Sequence, residues 1–211
     1  MTNRDVDAVI VGAGFSGLYA THRLRNVQGL TVQCFEAAEG PGGVWYWNKY
    51  PGARCDFESI YYSYTFDEAL QREWLWTERF AAQPEILAYL NHVADRFDLR
   101  RSFRFNTRVT SAVWNEETNR WTVRSDDGSV TTARFFINAA GAFSTGSGGS
   151  VPAQIEKPSA IRTGATIMNR TTNATMTRGL GFPVTSAIRN RTTRIKTRAL
   201  PGLSAWKALT N

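Results

Sequence analysis

The chain has 211 residues, of which 42% are hydrophobic, 12% aromatic and 20% charged. This length suits one substantial domain, or one domain with an appendage, and leaves little room for two complete domains. No stretch approaches the roughly 18 consecutive apolar residues of a membrane helix. The composition therefore predicts a soluble globular protein without a membrane segment.

The net charge of +7 is distributed unevenly along the chain. Residues 1–150 carry 15 basic and 17 acidic side chains, whereas residues 151–211 carry 10 basic side chains and one acidic one. Such a basic tail suggests salt-sensitive binding to the phosphates of nucleic acid. It has only Phe182 and Trp206 as aromatics and no nucleic-acid-binding motif, so this interpretation is the weaker one.

Cys34 and Cys55 are the only cysteines, and no cluster of His or Cys with metal-site spacing accompanies them. Both are predicted to be buried or partly buried thiols, and their sparseness suits a reducing compartment. Residues 1–11 show none of the basic, apolar and small-residue regions of a secretory leader. We therefore expect a cytoplasmic location and no metal site.

The first elements of the chain form a βαβ pattern. Residues 8–11 are a continuous apolar run, which is typical of a parallel strand covered on both faces. Residues 15–26 have apolar positions spaced for a helix, and residues 31–35 return as a second strand that ends at Glu36. The pattern predicts two parallel strands joined by a right-handed crossover.

A glycine- and aromatic-rich stretch, residues 40–64, has too little periodicity for a strand or a helix, and we interpret it as an ordered loop over a ligand. Pro84 and Glu85 then open a helix. Its buried face is predicted to contain Ile86, Leu87, Leu90, Val93, Ala94 and Phe97.

Alternating segments over residues 109–114 and 121–124, a turn at Asp127-Gly128 and a strand from Val130 predict an antiparallel β-meander. Residues 134–140 become apolar, as in a strand that returns to a parallel sheet. From residue 144 the character of the chain changes. Residues 144–150 are a Gly/Ser linker by composition. Residues 151–211 are a basic, Thr/Arg-rich tail of no recognised domain, in which we expect weak order.

Residues 12–17, Gly-Ala-Gly-Phe-Ser-Gly, form a GxGxxG motif between the first strand and the first helix, with Glu36 at the end of the next strand. Gly12 permits the tight turn, Gly14 lets the backbone approach a pyrophosphate, and Gly17 lets the helix pack closely on the sheet. The amino end of the helix attracts the phosphates, and Glu36 accepts hydrogen bonds from ribose hydroxyls. The motif predicts a Rossmann-like α/β domain over residues 1–143; a glycine-rich turn without a ligand is the alternative.

A carboxylate at the ribose position disfavours a 2′-phosphate, so this site favours FAD or NAD over NADP. The sequence then resembles the FAD-contacting region of Baeyer–Villiger monooxygenases of the cyclohexanone and phenylacetone type. The matching stretches are EGPGGVWYWN (39–48), YPGARCD (50–56), WLWTERF (74–80), QPEI (83–86), FDL (97–99) and the strand end AG (140–141). They extend over about two thirds of the chain.

The resemblance implies that Gly43, Val44 and Trp45 line the flavin and its pyrophosphate. It places Asp56 beside the isoalloxazine as the candidate catalytic residue, and Tyr62 near the ring. Considered alone, Trp45 could equally be a core aromatic or a residue that lines the flavin. Asp56 alone is compatible with a loop cap or with a partner of Arg54.

By the same resemblance, the backbone of Val109 contacts the adenine, and Gly141 lets the chain pass close to the cofactor. The implied cofactor-binding residues are Gly12, Gly14, Phe15, Ser16, Gly17, Glu36, Gly43, Val44, Trp45, Asp56, Tyr62, Val109 and Gly141. The implied reaction inserts one oxygen atom of O2 beside a ketone carbonyl to give an ester or lactone, with FAD as cofactor and NADPH as reductant.

The family continues with an FxGxxxHxxxW signature and a second GxGxxG that binds NADPH, but neither follows Gly141 in this sequence. His22 and His92 both lie upstream, on predicted helices. We therefore hypothesise that residues beyond about 144 are not native to the fold, through a frame shift or an internal deletion. An inactive FAD-binding remnant and a different FAD-dependent oxidoreductase are the alternative functions.

Overall fold

The computed structural model describes residues 3–141 and three short strands at 154–156, 167–168 and 175–176. The expected linker, residues 144–150, and all but those three strands of the expected tail lie outside the described residues. The prediction of weak order in the tail therefore stays a prediction. Within the described residues, no helix is long and apolar enough to cross a membrane.

One mixed sheet organises the described residues. Its strands lie in the spatial order β3 (Phe103–Arg104), β2 (Val32–Phe35), β1 (Asn3–Val11), β6 (Val130–Asn138), β5 (Arg120–Ser125), β4 (Val109–Asn115) and β7 (Gln154–Glu156). β1 runs parallel to both β2 and β6, and β2 runs parallel to β3. The strands β4, β5 and β6 form an antiparallel meander. This arrangement confirms the predicted α/β fold with a Rossmann-like parallel sheet and a β-meander.

β6 joins the two parts of the sheet, because it has a different kind of neighbour on each side. Residues 130–133 pair antiparallel with β5, while the whole strand runs parallel to β1. Two further short strands, β8 (Ile167–Met168) and β9 (Thr175–Met176), pair with each other, and β9 pairs with the end of β6.

β1 is longer than the apolar run that predicted it, because polar residues extend the pairing towards the amino terminus. The Asp7 carboxylate accepts the backbone N–H and the hydroxyl of Thr31 at 3.0 and 2.7 Å. The Thr132 hydroxyl donates to the Asp5 carboxylate at 2.8 Å. Thr31 directly precedes β2 and Thr132 lies in β6, so the local hydrophobic pattern around β1 carries no sign of these partners.

The predicted helix over residues 15–26 is α-helical only in its first half. α1 (Phe15–Thr21) passes into a π-helical segment, His22–Val27. Within that segment Arg25 donates to the Ser102 hydroxyl and to the Asp98 carbonyl, both at 2.5 Å. Such long-range contacts compete with regular α-helical geometry and are invisible in local spacing.

The helix predicted from Pro84 is α4 (Gln83–Arg96), and most of its predicted buried face is buried. Tyr89, which the prediction omitted, is fully buried as well, whereas Leu87 and Phe97 are only partly buried. The loop predicted over residues 40–64 contains one short helix, α2 (Val44–Trp47). A further helix that was not predicted, α3 (Glu68–Glu73), begins after an aspartate whose carboxylate caps its first turn.

Candidate cofactor site

The turn that follows β1 packs backbone against backbone. Gly12 has a φ of +104°, and a Cβ there would lie 2.4 Å from the carbonyl oxygen of Ala139, just after β6. A Cβ on Gly17 would lie 1.8 Å from the carbonyl oxygen of Gly12. Because both residues lack a side chain, the turn can pack this closely against the ends of the parallel strands. Nucleotides bind at these strand ends in folds of this type.

A second glycine pair lies directly on this turn. The Gly42 N–H donates to the Ala13 carbonyl at 2.9 Å. Gly43 has a φ of +54°, and a Cβ there would come within 2.8 Å of the Cα of Gly14. Two bare backbones thus lie side by side, so a ligand bound at the turn would meet both segments without an intervening side chain.

Glu36 follows β2 and is only 2% exposed. One carboxylate oxygen accepts the Ala13 N–H at 2.6 Å, and the other accepts the Ala38 N–H at 2.9 Å. Burial raises the pKa of the Glu36 carboxyl, while these N–H groups and the charge of Arg108 act in the opposite direction. Each carboxylate oxygen can accept more than one hydrogen bond, so this carboxylate can still receive a pair of hydroxyls.

Phe15 and Ser16 stand in the first turn of α1, both partly buried. The Phe15 ring packs edge-on against Tyr62, with centroids 4.8 Å apart. The Tyr64 hydroxyl donates to the Phe15 carbonyl at 2.6 Å, and the Tyr64 N–H donates to the Tyr89 hydroxyl at 2.9 Å. The glycine-rich turn is therefore anchored through an aromatic cluster to α4.

Val44 and Trp45 form the start of α2, with Val44 partly buried and Trp45 buried. The indole N–H of Trp45 donates to the Tyr62 hydroxyl at 3.1 Å. The buried Gln83 side chain donates to the Trp45 carbonyl. Burial raises the pKa of the Tyr62 hydroxyl, so this group is neutral at physiological pH and serves as a hydrogen-bonding partner.

Asp56 lies at an exposed position of the same loop. The alternative that it pairs with Arg54 is not what the geometry shows, because the Arg54 guanidinium donates to the Glu78 carboxylate and to the Phe80 carbonyl. The Cys55 N–H, one residue before Asp56, donates to the Ala81 carbonyl at 3.0 Å. Asp56 thus projects from a loop whose backbone is fixed against the segment that leads into α4.

Val109 and Gly141 stand at the start of β4 and shortly after the end of β6, respectively. Val109 is buried at the start of β4, and Thr107, two residues earlier, donates its N–H to the Glu36 carbonyl at 3.0 Å. Gly141 follows β6 and has a φ of +74°. Ala13, Ala38, Ser59, Tyr64 and Gln83 take part in the same framework. Ala13 and Gln83 lie inside the stretches quoted above without an assigned role, and no motif in the sequence marks Ala38, Ser59 or Tyr64.

The cysteines and histidines lie outside this framework or serve its packing. Cys34 and Cys55 are both buried free thiols, which confirms the prediction for them. His22 packs between Phe66 and Phe97, with ring centroids at 4.7 and 4.6 Å. Across the residues that the structure describes, no group of acidic, His and Cys side chains is arranged to hold a metal ion.

The glycine turn, the buried carboxylate after β2 and the parallel sheet define a dinucleotide-binding Rossmann-like domain. Residues 10–75 match the family described as "NAD(P)-binding Rossmann-like domain". A Baeyer–Villiger monooxygenase of Pseudooceanicola batsensis is 51% identical over 140 residues, which are 66% of this chain and 26% of that protein.

Solved structures are also similar to this chain over about two thirds of its length. An oxidised steroid monooxygenase bound to NADP is 67% identical, with a TM-score of 0.64, over 65% of this chain and 26% of that one. A complex of OTEMO with FAD and NADP is 48% identical, with a TM-score of 0.61, over 64% of this chain and 26% of that one. Over about two thirds of its length, the chain is thus related in sequence and structure to the Baeyer–Villiger monooxygenases. It spans about a quarter of the length of these relatives.

Proposed function

We propose that this chain binds FAD and provides the FAD-binding part of a monooxygenase of Baeyer–Villiger type. One observation carries the proposal: the bare backbones of Gly14 and Gly43 lie together, and the buried carboxylate of Glu36 accepts the N–H of the adjoining residue, Ala13. That arrangement supplies a surface for a pyrophosphate and an acceptor for ribose hydroxyls. The relatives whose names and titles include FAD binding support this choice of dinucleotide.

The residues fit FAD at both ends of the cofactor. We assign the pyrophosphate to the first turn of α1, including Phe15 and Ser16, and to Gly43. We assign the isoalloxazine side to Val44, Trp45, Asp56 and Tyr62, and the adenine side to the backbone of Val109 and to Gly141. These assignments place the FAD-binding unit within residues 1–143, followed by the linker 144–150 and the tail 151–211.

When bound, FAD would supply the redox chemistry of oxygen insertion, with NADPH as reductant and a ketone and O2 as substrates. The chain itself contributes binding and orientation: the glycine turn holds the phosphates, Glu36 holds the ribose, and Asp56 places a negative charge at the flavin side. The two buried free thiols suit a reducing compartment, and we propose the cytoplasm as the location.

A second candidate is an FAD-binding protein without monooxygenase turnover. It is favoured by the sequence after Gly141, which contains neither the histidine signature nor a second GxGxxG. Family resemblance and cofactor binding are the same in both candidates, so only turnover separates them.

Titration of the purified full chain with FAD tests the proposal, followed by flavin absorbance after removal of free cofactor. We expect yellow protein with one FAD per chain, and colourless folded protein after incubation with excess FAD would overturn the assignment. NADPH consumption is then measured with and without a cyclic ketone. Ketone-dependent consumption supports the monooxygenase, whereas bound flavin without consumption supports the second candidate.

A further inference from the structure

Ser59 stands between Asp56 and Tyr62, the two residues assigned to the isoalloxazine side, and is only 2% exposed. Its hydroxyl donates to the Glu78 carbonyl at 2.8 Å and accepts the Ala81 N–H at 3.0 Å. A buried hydroxyl that both donates and accepts has little freedom to move. The neighbouring residues of the loop are therefore fixed by a side chain that itself points into the protein.

The backbone of Ala81 holds both ends of the turn that carries Asp56. The Ala81 carbonyl accepts the Cys55 N–H at 3.0 Å, and the Ala81 N–H donates to the Ser59 hydroxyl oxygen. Ala81 is itself fully buried. Two hydrogen bonds to one buried residue thus span the Asp56 position, although Asp56 itself is exposed.

The backbone carbonyl of Ser59 also fixes the part of the loop that carries Tyr62. It accepts the Tyr62 N–H at 3.1 Å and the Ser63 hydroxyl at 2.7 Å. The Tyr62 hydroxyl in turn accepts the indole N–H of Trp45. Ser59 therefore links the turn of Asp56 to Tyr62 and, through Tyr62, to α2.

We propose that Ser59 is a positioning residue for the isoalloxazine side of the FAD site, an inference that rests on the proposed function. It acts on Asp56 and Tyr62 through the backbone and does not itself touch the cofactor. Among the described contacts, none joins Ser59 to the glycine turn or to Glu36. The structure thus links Ser59 directly to the flavin side, and it links Ser59 to the glycine turn only indirectly, through the ring contact between Tyr62 and Phe15.

This difference in the contacts of Ser59 can be tested with two ligands, FAD and ADP, on the full chain. FAD reports on the whole site, and ADP reports only on the adenosine and pyrophosphate side. Ser59→Ala leaves the buried Ala81 N–H without its acceptor. We expect FAD binding to weaken on the order of tenfold, the factor that corresponds to about 1.4 kcal/mol, with the dissociation constant of ADP unchanged. The absorbance bands of bound flavin should also shift.

A purely structural role would give a different result. If Ser59 only supports folding, FAD and ADP binding fall by the same factor, and this outcome overturns the proposal, as does unchanged binding of both. If the unmodified chain binds neither FAD nor ADP, the proposed function fails first, and the inference about Ser59 fails with it. The ratio of the two dissociation constants therefore distinguishes the two failures.

Two further variants distinguish the proposed positioning role from a folding defect. Ser59→Cys keeps a weak acceptor at the same place. We therefore expect the ratio of the FAD and ADP dissociation constants to change in the same direction as in Ser59→Ala, but by a smaller factor. Ser102→Ala is the matched control, because it removes another buried hydroxyl, one that accepts a hydrogen bond from Arg25. Its FAD to ADP ratio should equal that of the unmodified chain, and a changed ratio there would count against the assignment to Ser59.

Discussion

The carboxylate of Glu36 accepts the backbone N–H of Ala13 at 2.6 Å, so a side chain at the end of β2 holds the glycine-rich turn after β1. The residue expected to recognise the ribose is thereby also part of the support for the phosphate turn. A change at Glu36 is consequently expected to affect two regions of the cofactor together.

Glu36→Gln should weaken FAD binding on the order of tenfold, because a neutral amide offers one acceptor where the carboxylate offers two. Fluorescence titration of FAD measures the loss. Glu117→Gln, an exposed position in the turn between β4 and β5, is the control and should bind FAD as the unmodified chain does. Equal affinities of the two variants would contradict the assignment of Glu36.

FAD binding by the unmodified chain should weaken as the pH falls. Burial raises the pKa of Glu36 above its ordinary value of 4.5, so the carboxylate is protonated at a higher pH than an exposed glutamate. Protonation removes acceptor capacity from the ribose site. Titrations between pH 7 and about pH 4.5 should show the decline, which should be absent in Glu36→Gln.

Gly17→Ala should lower the free energy of unfolding by about 3 kcal/mol, because its Cβ would lie 1.8 Å from a backbone oxygen that has little room to move. Gly40→Ala is the matched control, since a Cβ there meets nothing within 4 Å and Gly40 is absent from the glycines with positive φ. Urea unfolding compares the two variants, and similar midpoints would show that the turn is less constrained than the structure indicates.

Tyr64→Phe removes the hydroxyl that donates to the Phe15 carbonyl at the start of α1. We expect a loss of about 1 kcal/mol in unfolding free energy, together with weaker FAD binding, because the phosphate turn loses an anchor. Tyr61→Phe removes an equivalent hydroxyl from a side chain that is 68% exposed and should change neither quantity. Thermal unfolding and FAD titration of both variants provide the comparison.

Asp127→Asn should reduce stability at neutral pH but not in strong acid. Hydrogen bonds from Ser129 and Ser125, with the charge of Arg104, lower the pKa of Asp127 from 3.8 to about 2. An aspartate with a lowered pKa stabilises the fold above its unfolded pKa, and this contribution is lost as the pH falls through about 2. We expect a difference of about 1 kcal/mol at pH 7, because solvent screens this partly exposed group. A difference between the two stability curves that is as large at pH 2 as at pH 7 would contradict the prediction.

The glycine motif and Glu36 were predictable because strand, turn and helix signals lie within 30 residues of each other and each has a local steric or electrostatic cause. The meander was predictable for the same reason, since alternation and an Asp-Gly turn are local patterns. The π-helical segment after Thr21 was not predicted, and neither was the burial of Tyr89. Both depend on residues distant in sequence, such as Arg25 with Ser102 and Tyr89 with Tyr64.

By itself, the sequence determined the βαβ unit, the glycine turn and the carboxylate after the second strand, because backbone sterics and hydrophobic periodicity act over a few neighbouring residues. Only the tertiary structure decided that Gly43 lies against Gly14, that Ala81 holds the turn of Asp56, and that Trp45 donates to Tyr62. Those contacts join residues 17 to 29 positions apart in the sequence. Their geometry follows from how the sheet and α4 bring these loops together, which local patterns do not encode.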